Sequence, residues 1–265
     1  MTATGDGAPL PASHHGYEKG RCREGATLAL CATSWRITAA GLSHVRAFED
    51  LTNAFQCPTY EAMATASEEL VRPKDFNIVV QLFLHASVEV SGGDGRKKLI
   101  VPRSGGLMGN PSIVKIFSHC YKRVVSYWQR DWWKSDDMAK ECIVTEPLTE
   151  TRVDLSLAVY ADDTQKLILA DTSDANTLKT KIELNGEIFG HHLELASMAR
   201  NKTKLVIMPT LTGLGSREQE RLFFEDRLNL DGQCCHYTKS LGSMLHIRGS
   251  NMHERRARLQ GMRNA

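Results

Sequence analysis

The feature that most constrains the fold is a pair of apolar runs that flank two adjacent acidic residues. Residues 153–170 read VDLSLAVYADDTQKLILA, and a short polar turn between two apolar runs is typical of a β-hairpin. This pattern places Asp162 and Asp163 at the hairpin tip. Adjacent carboxylates on a tight turn repel each other, and a hard cation such as Mg²⁺, which prefers oxygen ligands, relieves that repulsion. A plain polar turn is the simpler explanation of an Asp-Asp pair, but the apolar flanks indicate that this turn belongs to the core.

A third carboxylate comes from Asp50, which ends a short strand predicted over residues 42–49. Apolar spacing and capping residues predict helices over residues 24–40, 58–71, 111–129, 176–198 and 252–263, and further strands over 204–208 and 240–247. The combination of a hairpin, separate strands and separate helices predicts an α+β fold.

Some segments are less clear. Leu28, Leu30, Cys31 and Trp35 are available for the inner face of the first helix. Helix and strand remain open for the first half of residues 76–90, because short apolar runs fit both. Residues 131–150 are polar around a Trp-Trp pair and are predicted to be an irregular loop.

The charge distribution matters more than the total charge. The chain has 33 basic and 31 acidic residues and a formal net charge of +2, which excludes the simplest nucleic-acid signature, a strongly basic domain. Residues 239–265, however, carry six Lys and Arg against one Glu. A basic segment beside an acidic centre is compatible with phosphate binding.

Other bulk features narrow the class of protein. No run of about 18 apolar residues occurs, so no membrane span or membrane partner is predicted. The seven cysteines are odd in number and lack zinc-site spacing, which indicates reduced thiols in an intracellular protein. Residues 1–13 are small and Gly/Pro-containing and are predicted to be a flexible lead.

Taken in order, several motifs resemble the reverse transcriptase domain of non-LTR (LINE-type) retrotransposons. The family's Asp-x-x-x-Ala-Phe-Asp motif has its counterpart at Asp50–Gln56, its glycine-rich motif at Gly105–Phe117 and its Tyr-Ala-Asp-Asp motif at Tyr160–Asp163. The Lys-Thr pair that follows in the family is matched by Lys202-Thr203, and its Leu-Gly turn by Leu241-Gly242. The upstream G-F-R-x-G-R segment has its counterpart at Gly16–Arg21. The resemblance covers about residues 14–265, and the Tyr-Ala-Asp-Asp motif is its most specific part.

The resemblance implies the palm of a right-hand polymerase, an antiparallel sheet with packed helices. Residues 14–243 would be the palm with part of the fingers, and residues 244–265 the start of a thumb-like basic helix. The implied activity is RNA-directed DNA polymerisation on an RNA template and DNA primer, using dNTPs. Asp50, Asp162 and Asp163 would hold two Mg²⁺ ions, with Mn²⁺ as a possible substitute. Lys202 would donate a proton to pyrophosphate.

The resemblance also assigns binding roles. Phe55 would exclude a ribose 2′-hydroxyl. Residues of the nucleotide- and template-binding surface would include Arg21, Gly105, Met108, Gly109 and Tyr160. Leu241 and Gly242 would contact the primer end.

Departures from the family pattern keep a second hypothesis open. Gln56 replaces an Asp and Met108 replaces a Gln, while Glu18 and Ala199 replace an Arg and an Asn. Few residues precede the first motif or follow the last, which suggests that fingers, thumb and endonuclease segments of a larger retroelement protein are missing. The alternative to an active polymerase is therefore a catalytically weak or inactive remnant that at most binds nucleic acid. A different palm polymerase or a cyclase-like palm enzyme is a third possibility, disfavoured by the Leu-Gly turn before a basic helix.

Overall fold

A computed structural model describes residues 15–16, 20–93, 95–106, 111–145, 150, 152–241, 243–250 and 252–263. Helices lie at Arg23–Ala39 (α1), Tyr60–Leu70 (α2), Pro73–Leu84 (α3), Pro111–Ser135 (α4), Ala175–Leu195 (α5), Ser216–Phe224 (α6) and Met252–Arg263 (α7). Strands lie at Ser43–Glu49 (β1), Val88–Ser91 (β2), Lys97–Ile100 (β3), Ile143–Thr145 (β4), Arg152–Asp154 (β5), Leu157–Tyr160 (β6), Asp163–Ala170 (β7), Val206–Thr210 (β8), Gln233–Cys234 (β9), Tyr237–Ser240 (β10) and Ser243–His246 (β11). Short 3₁₀ turns occupy Asp137–Cys142 and Lys202–Lys204.

The centre of the molecule is a five-stranded sheet in the order β6-β7-β1-β8-β9. All neighbours are antiparallel except β8 and β9, which are parallel. Strand β1 lies in the middle and is buried along its whole length. Within the described residues, no helix combines the length and apolar character needed to cross a bilayer.

One face of the sheet is covered by α4 and α5. Val45 and Ala47 of β1 point into this core, together with Ile168 of β7. Trp128 of α4 meets Phe189 of α5 edge-on, with ring centroids 5.5 Å apart. Helix α5 begins where Asp174 caps it, since the Asp174 carboxylate accepts the Thr177 N–H at 2.8 Å.

The opposite face receives the alternate residues of β1. His44 contacts Ser34 of α1 through a hydrogen bond, and Phe48 packs with Met208 of β8 and Leu245 of β11. Because side chains alternate along a strand, β1 separates two environments. The second face is covered in part by α1 and by the β10–β11 hairpin.

Most predicted elements are present, and the α+β fold is confirmed. The hairpin is formed by β6 and β7, with Tyr160 opposite Asp163 at the tip. The helices predicted over 24–40, 111–129, 176–198 and 252–263 correspond to α1, α4, α5 and α7. The strand predicted over 204–208 is β8, which continues through Pro209 to Thr210.

Several predictions were wrong in part. Residues 131–150 are not one irregular loop, because α4 runs on to Ser135 and is followed by a 3₁₀ turn and β4. The helix continues because Trp132 is buried in the core, and this apolar contact outweighs the preference of the surrounding polar residues for a loop. The helical choice holds for the first half of residues 76–90. Leu28 and Trp35 do not face inward, since they are 70% and 72% exposed. The strand predicted over 240–247 is the second arm of a hairpin, while α6 and β9 were not predicted.

Candidate active site

Three carboxylates meet at one end of the central sheet. Glu49 pairs with Thr164 across β1 and β7, so the next residues outward, Asp50 and Asp163, lie side by side. Asp162 adjoins them in the two-residue turn of the hairpin, where Ala161 adopts a positive φ of 59°. The Asp50 carbonyl accepts the Asn201 N–H at 2.9 Å, which fixes the backbone after β1.

The negative charges of the carboxylates at this tip repel one another. Loss of hydration raises the pKa of Asp163 to about 6, and the neighbouring carboxylates of Asp162 and Asp50 add to this shift. Loss of hydration also raises the pKa of Asp162, with a contribution from Asp50. The site therefore favours a positive charge between these side chains.

Lys204 supplies such a charge in the present arrangement. Its Nζ lies 2.7 Å from Oδ2 of Asp50, and this contact raises the pKa of Lys204. Lys202, the residue singled out by the resemblance, instead lies with its Nζ 2.7 Å from the Asp231 carboxylate. The sequence comparison missed Lys204, although its position two residues after Lys202 is the signal that could have found it.

A buried ion network lies directly beneath the carboxylates. Both oxygens of Glu49 are engaged, one by Lys166 Nζ and the other by Arg200 Nε, each at 2.5 Å. Lys166 also donates to Asn185 Oδ1 at 2.9 Å and lies 4.1 Å from the Phe189 ring centroid. Burial lowers the pKa of Lys166 to about 8, although the Glu49 carboxylate works in the opposite direction. This network ties β1, β7 and the segment after α5 together, one residue from Asp50; it was not predicted.

Phe55 and Gly105 lie together beside the site. The Phe55 ring packs against Phe117 of α4 with centroids 4.5 Å apart and remains partly exposed. Gly105 has a φ of 66°, and a Cβ there would come within 2.4 Å of the Gln56 Cα and the Phe55 carbonyl oxygen. The glycine thus allows a close approach to the backbone that carries Phe55. That Gly105 also allows the close approach of a nucleotide remains a prediction.

The remaining predicted site residues approach the tip from two sides. The His15 N–H donates to Val159 O at 2.7 Å, and the charge of Arg21 helps burial to lower the pKa of His15. These interactions place His15 near the Tyr160 end of β6 and Arg21 near His15. On the other side Gln165 Nε2 donates to Ser240 Oγ at 2.8 Å, which holds the turn at Leu241 beside β7. The predictions for Met108, Gly109 and Gly242 lie outside the described residues.

The carboxylate oxygens of Asp50, Asp162 and Asp163 fit the chemistry of a hard divalent cation. Within the described ranges, no three His, Cys, Asp or Glu side chains are clustered closely enough to hold a metal ion as they stand. The ammonium of Lys204 occupies one oxygen of Asp50. A divalent ion would have to replace that contact.

The fold, a mainly antiparallel sheet with packed helices, can be compared with those of known proteins. No protein-family model and no curated protein matches the chain. The structure of apo telomerase from Candida tropicalis has a TM-score of 0.56 and 13% identity, over 90% of this chain and 36% of that one. Telomerase from Candida albicans in complex with the TWJ fragment of telomeric RNA gives a TM-score of 0.58 and 11% identity, over 90% and 35%.

These telomerases, which are reverse transcriptase relatives, show that the chain has a distant reverse-transcriptase-like fold. At 11–14% identity the likeness concerns the fold alone. The chain spans about a third of the length of the telomerases described above.

Proposed function

We propose that this chain is the palm, with part of the fingers and the start of the thumb, of an RNA-directed DNA polymerase from a non-LTR retroelement. The observation that carries the proposal is the meeting of Asp50, Asp162 and Asp163 at one sheet end, within a reverse-transcriptase-like fold. The substrates would be dNTPs, an RNA template and a DNA primer. Fingers, thumb and endonuclease segments of a larger protein would complete the polymerase.

The residues of the tip would act by position and charge. Asp50, Asp162 and Asp163 would hold Mg²⁺, or Mn²⁺ in its place, which supplies Lewis-acid activation of a primer 3′-hydroxyl and charge stabilisation on the phosphates. The raised pKa of Asp163 is consistent with a site that binds a cation. The Glu49–Lys166–Arg200 network would keep Asp50 in place, because it fixes the residue before it.

The flanking residues would select and orient the substrates. Phe55, braced by Phe117, would exclude a 2′-hydroxyl by steric contact. Leu241, held near β7 through Ser240, would press on the primer end. Lys204 or Lys202 would donate a proton to the leaving pyrophosphate; Lys204 lies nearer to the carboxylates.

Primer extension tests the proposal. The purified chain is incubated with an RNA template, a labelled DNA primer and dNTPs in Mg²⁺ and in Mn²⁺. We expect incorporation by the unaltered chain and a loss of at least about 100-fold in Asp162→Asn, because the ligand charge is removed. Asp171→Asn, an exposed carboxylate just beyond β7, serves as the matched control and should retain activity.

A second candidate is an inactive remnant that at most binds nucleic acid. The occupation of Asp50 by Lys204 and the replacement of a template-facing Gln by Met108 favour it. Equal, background incorporation by the unaltered chain and Asp162→Asn, both alone and when joined to fingers and thumb segments, would select this candidate over the active polymerase.

A further inference from the structure

A second pocket, distinct from the carboxylate tip, opens on the sheet face away from α4 and α5. It encloses about 330 Å³ between α1, the end of β8, the start of α6 and the turn after β11. Arg46 of β1 lines it and precedes Asp50 by four residues, a distance of about 13 Å along an extended strand. The pocket is near the lower limit of the volumes of about 300–1,000 Å³ that suit small ligands.

Arg46 is unusual because it is a buried cation without a carboxylate partner in the part of the chain that the structure describes. The residue is 2% exposed. Its Nη2 donates to the His246 carbonyl oxygen at 2.7 Å, while its Nε has no hydrogen-bond partner among the described residues. Arginine is almost never fully buried unless it is paired, so the position of Arg46 favours an anionic partner.

The neighbours of Arg46 do not supply that anion. Burial lowers the pKa of His44 to about 3, so its ring is neutral at physiological pH. Burial raises the pKa of the Cys31 thiol even though Arg46 works against this shift, so the thiol is also uncharged. Arg46 therefore lines the pocket without a negatively charged group among these neighbours.

The pocket walls add further positive charge. Arg217 and Arg248 also line it, against a single carboxylate, Glu220. That carboxylate is already engaged, since Oε2 of Glu220 lies 3.1 Å from Arg248 Nη2 and Oε1 accepts the Leu211 N–H at 3.0 Å. The first turn of α6, with Ser216 and Arg217, contributes the positive end of a helix dipole.

The opening of the pocket carries a flat aromatic side chain. Trp35 of α1 lines the pocket and is 72% exposed. An exposed indole is suited to stack on a base, as aromatic side chains do in single-strand binding proteins. Cationic groups inside and an indole at the entrance match a phosphate joined to a base.

We propose that this pocket binds a nucleoside phosphate, with Arg46 and Arg217 on the phosphate and Trp35 on the base. The ligand is either a free nucleotide or the phosphorylated end of a nucleic-acid strand, since both present the same chemistry. The site does not depend on polymerase activity at the carboxylate tip.

Calorimetric titration of the full chain tests the proposal. Adenosine 5′-monophosphate, adenosine and inorganic phosphate are titrated in EDTA, which withholds the divalent ions that the carboxylate tip would need. A short oligodeoxynucleotide with and without a 5′-phosphate forms the second arm. We expect the monophosphate to bind more tightly than adenosine. Binding of the phosphorylated oligonucleotide that is tighter than binding of both the unphosphorylated oligonucleotide and the monophosphate would identify a strand end as the ligand. Equal binding of the two oligonucleotides would identify a free nucleotide.

Matched variants locate the binding. Arg46→Met and Arg217→Gln should each weaken monophosphate binding about tenfold or more, because each removes a charge-assisted hydrogen bond. Trp35→Ala should weaken the monophosphate but leave inorganic phosphate unchanged. Arg221→Gln, on α6 but outside the pocket, should have no effect. The proposal is overturned if the monophosphate does not bind, if adenosine binds equally well, or if Arg217→Gln, a surface change that does not threaten folding, leaves the affinity unaltered.

Discussion

Charged residues inside the core constrain how the central strands are placed. Lys166 is 1% exposed and touches Glu49, Asn185 and two aromatic faces. A buried ion pair contributes little net stability compared with an apolar replacement of both partners, but removal of one partner is costly. The Glu49 network therefore acts as a constraint on position: it defines where β1 lies against β7 and Arg200.

Glu49→Gln should lower the free energy of unfolding by about 3–5 kcal/mol, because the buried ammonium of Lys166 loses its counter-charge. Urea unfolding followed by circular dichroism measures the loss. Glu183→Gln, in an exposed pair with Lys179, should change it by less than about 1 kcal/mol. Adding Lys166→Met to Glu49→Gln should recover part of the stability; a purely additive double variant would contradict a coupled network.

His44 should make the stability of the protein pH-dependent. Burial lowers its pKa from 6.5 to about 3. Between these two pH values the His44 ring is protonated in the unfolded chain and neutral in the folded chain. The stabilisation is fully present above pH 6.5 and is lost as the pH falls from about 6.5 toward 3, with a slope of at most about 1.4 kcal/mol per pH unit.

The comparison with His44→Gln isolates this contribution. The amide can keep the hydrogen bond to Ser34 but does not titrate in this range. Unfolding free energies at pH 7, 5.5 and 4.5 should fall less steeply in the variant than in the unaltered chain. Parallel curves would show that folding does not lower the pKa of His44.

Among the elements, the loop at residues 103–106 is coupled to the turn that follows β1. The Gly105 N–H donates to Pro58 O at 2.8 Å and the Gly106 N–H to Phe55 O at 3.0 Å. Through these bonds the glycine-rich segment determines where the Phe55 ring lies. A substitution in one of these two segments should therefore alter the conformation of the other.

Gly105→Ala should lower the free energy of unfolding by about 2 kcal/mol or more, since the new Cβ meets backbone atoms at 2.4 Å and the positive φ is unfavourable for alanine. Gly95→Ala is the matched control. Gly95 also has a positive φ, of 77°, but nothing lies within 4 Å of its Cβ position. Chemical denaturation should show a clearly larger loss for Gly105→Ala, and equal losses would argue against the close approach.

The elements that the sequence predicted are those that local pattern specifies. The hairpin around Asp162 follows from two apolar runs and an acidic turn, and α4 from its apolar stripe. The Arg200–Glu49 contact of the ion network could not be predicted from local pattern, because it joins residues 151 positions apart. The Lys204–Asp50 contact spans 154 positions, and only the nearness of Lys204 to Lys202 in the sequence pointed to it. Trp35 was misassigned for a related reason: its own helix is apolar on more than one side, and only tertiary packing decides which side is buried.

At the scale of the whole molecule, charge is separated between an acidic sheet end and a basic carboxyl-terminal helix. Arg255, Arg256 and Arg258 of α7 are exposed. The near-zero net charge therefore conceals a surface that can bind phosphates. The total alone would have excluded nucleic acid, whereas the local distribution does not.

Replacing Arg255, Arg256 and Arg258 with Gln should weaken single-stranded DNA binding. It should also reduce the slope of log affinity against log salt by about 2, since about 0.7 counterions are released per neutralised phosphate on a single strand. Fluorescence anisotropy between 50 and 200 mM NaCl measures both. A triple Gln variant at Lys134, Lys140 and Lys179, exposed or half-exposed side chains elsewhere, controls for total charge; the same slope change in both variants would show that α7 is not the contact.

Strand β1 carries a consequence for how the chain can change over time. A deletion of one residue inside Ser43–Glu49 would exchange its two faces. Arg46 would turn toward the aromatic core of α4 and α5, Glu49 would leave Lys166, and Asp50 would turn away from Asp163. Insertions and deletions should therefore be eliminated from these seven positions in any lineage that keeps the fold, whereas the exposed turn at residues 40–41 before the strand can vary in length.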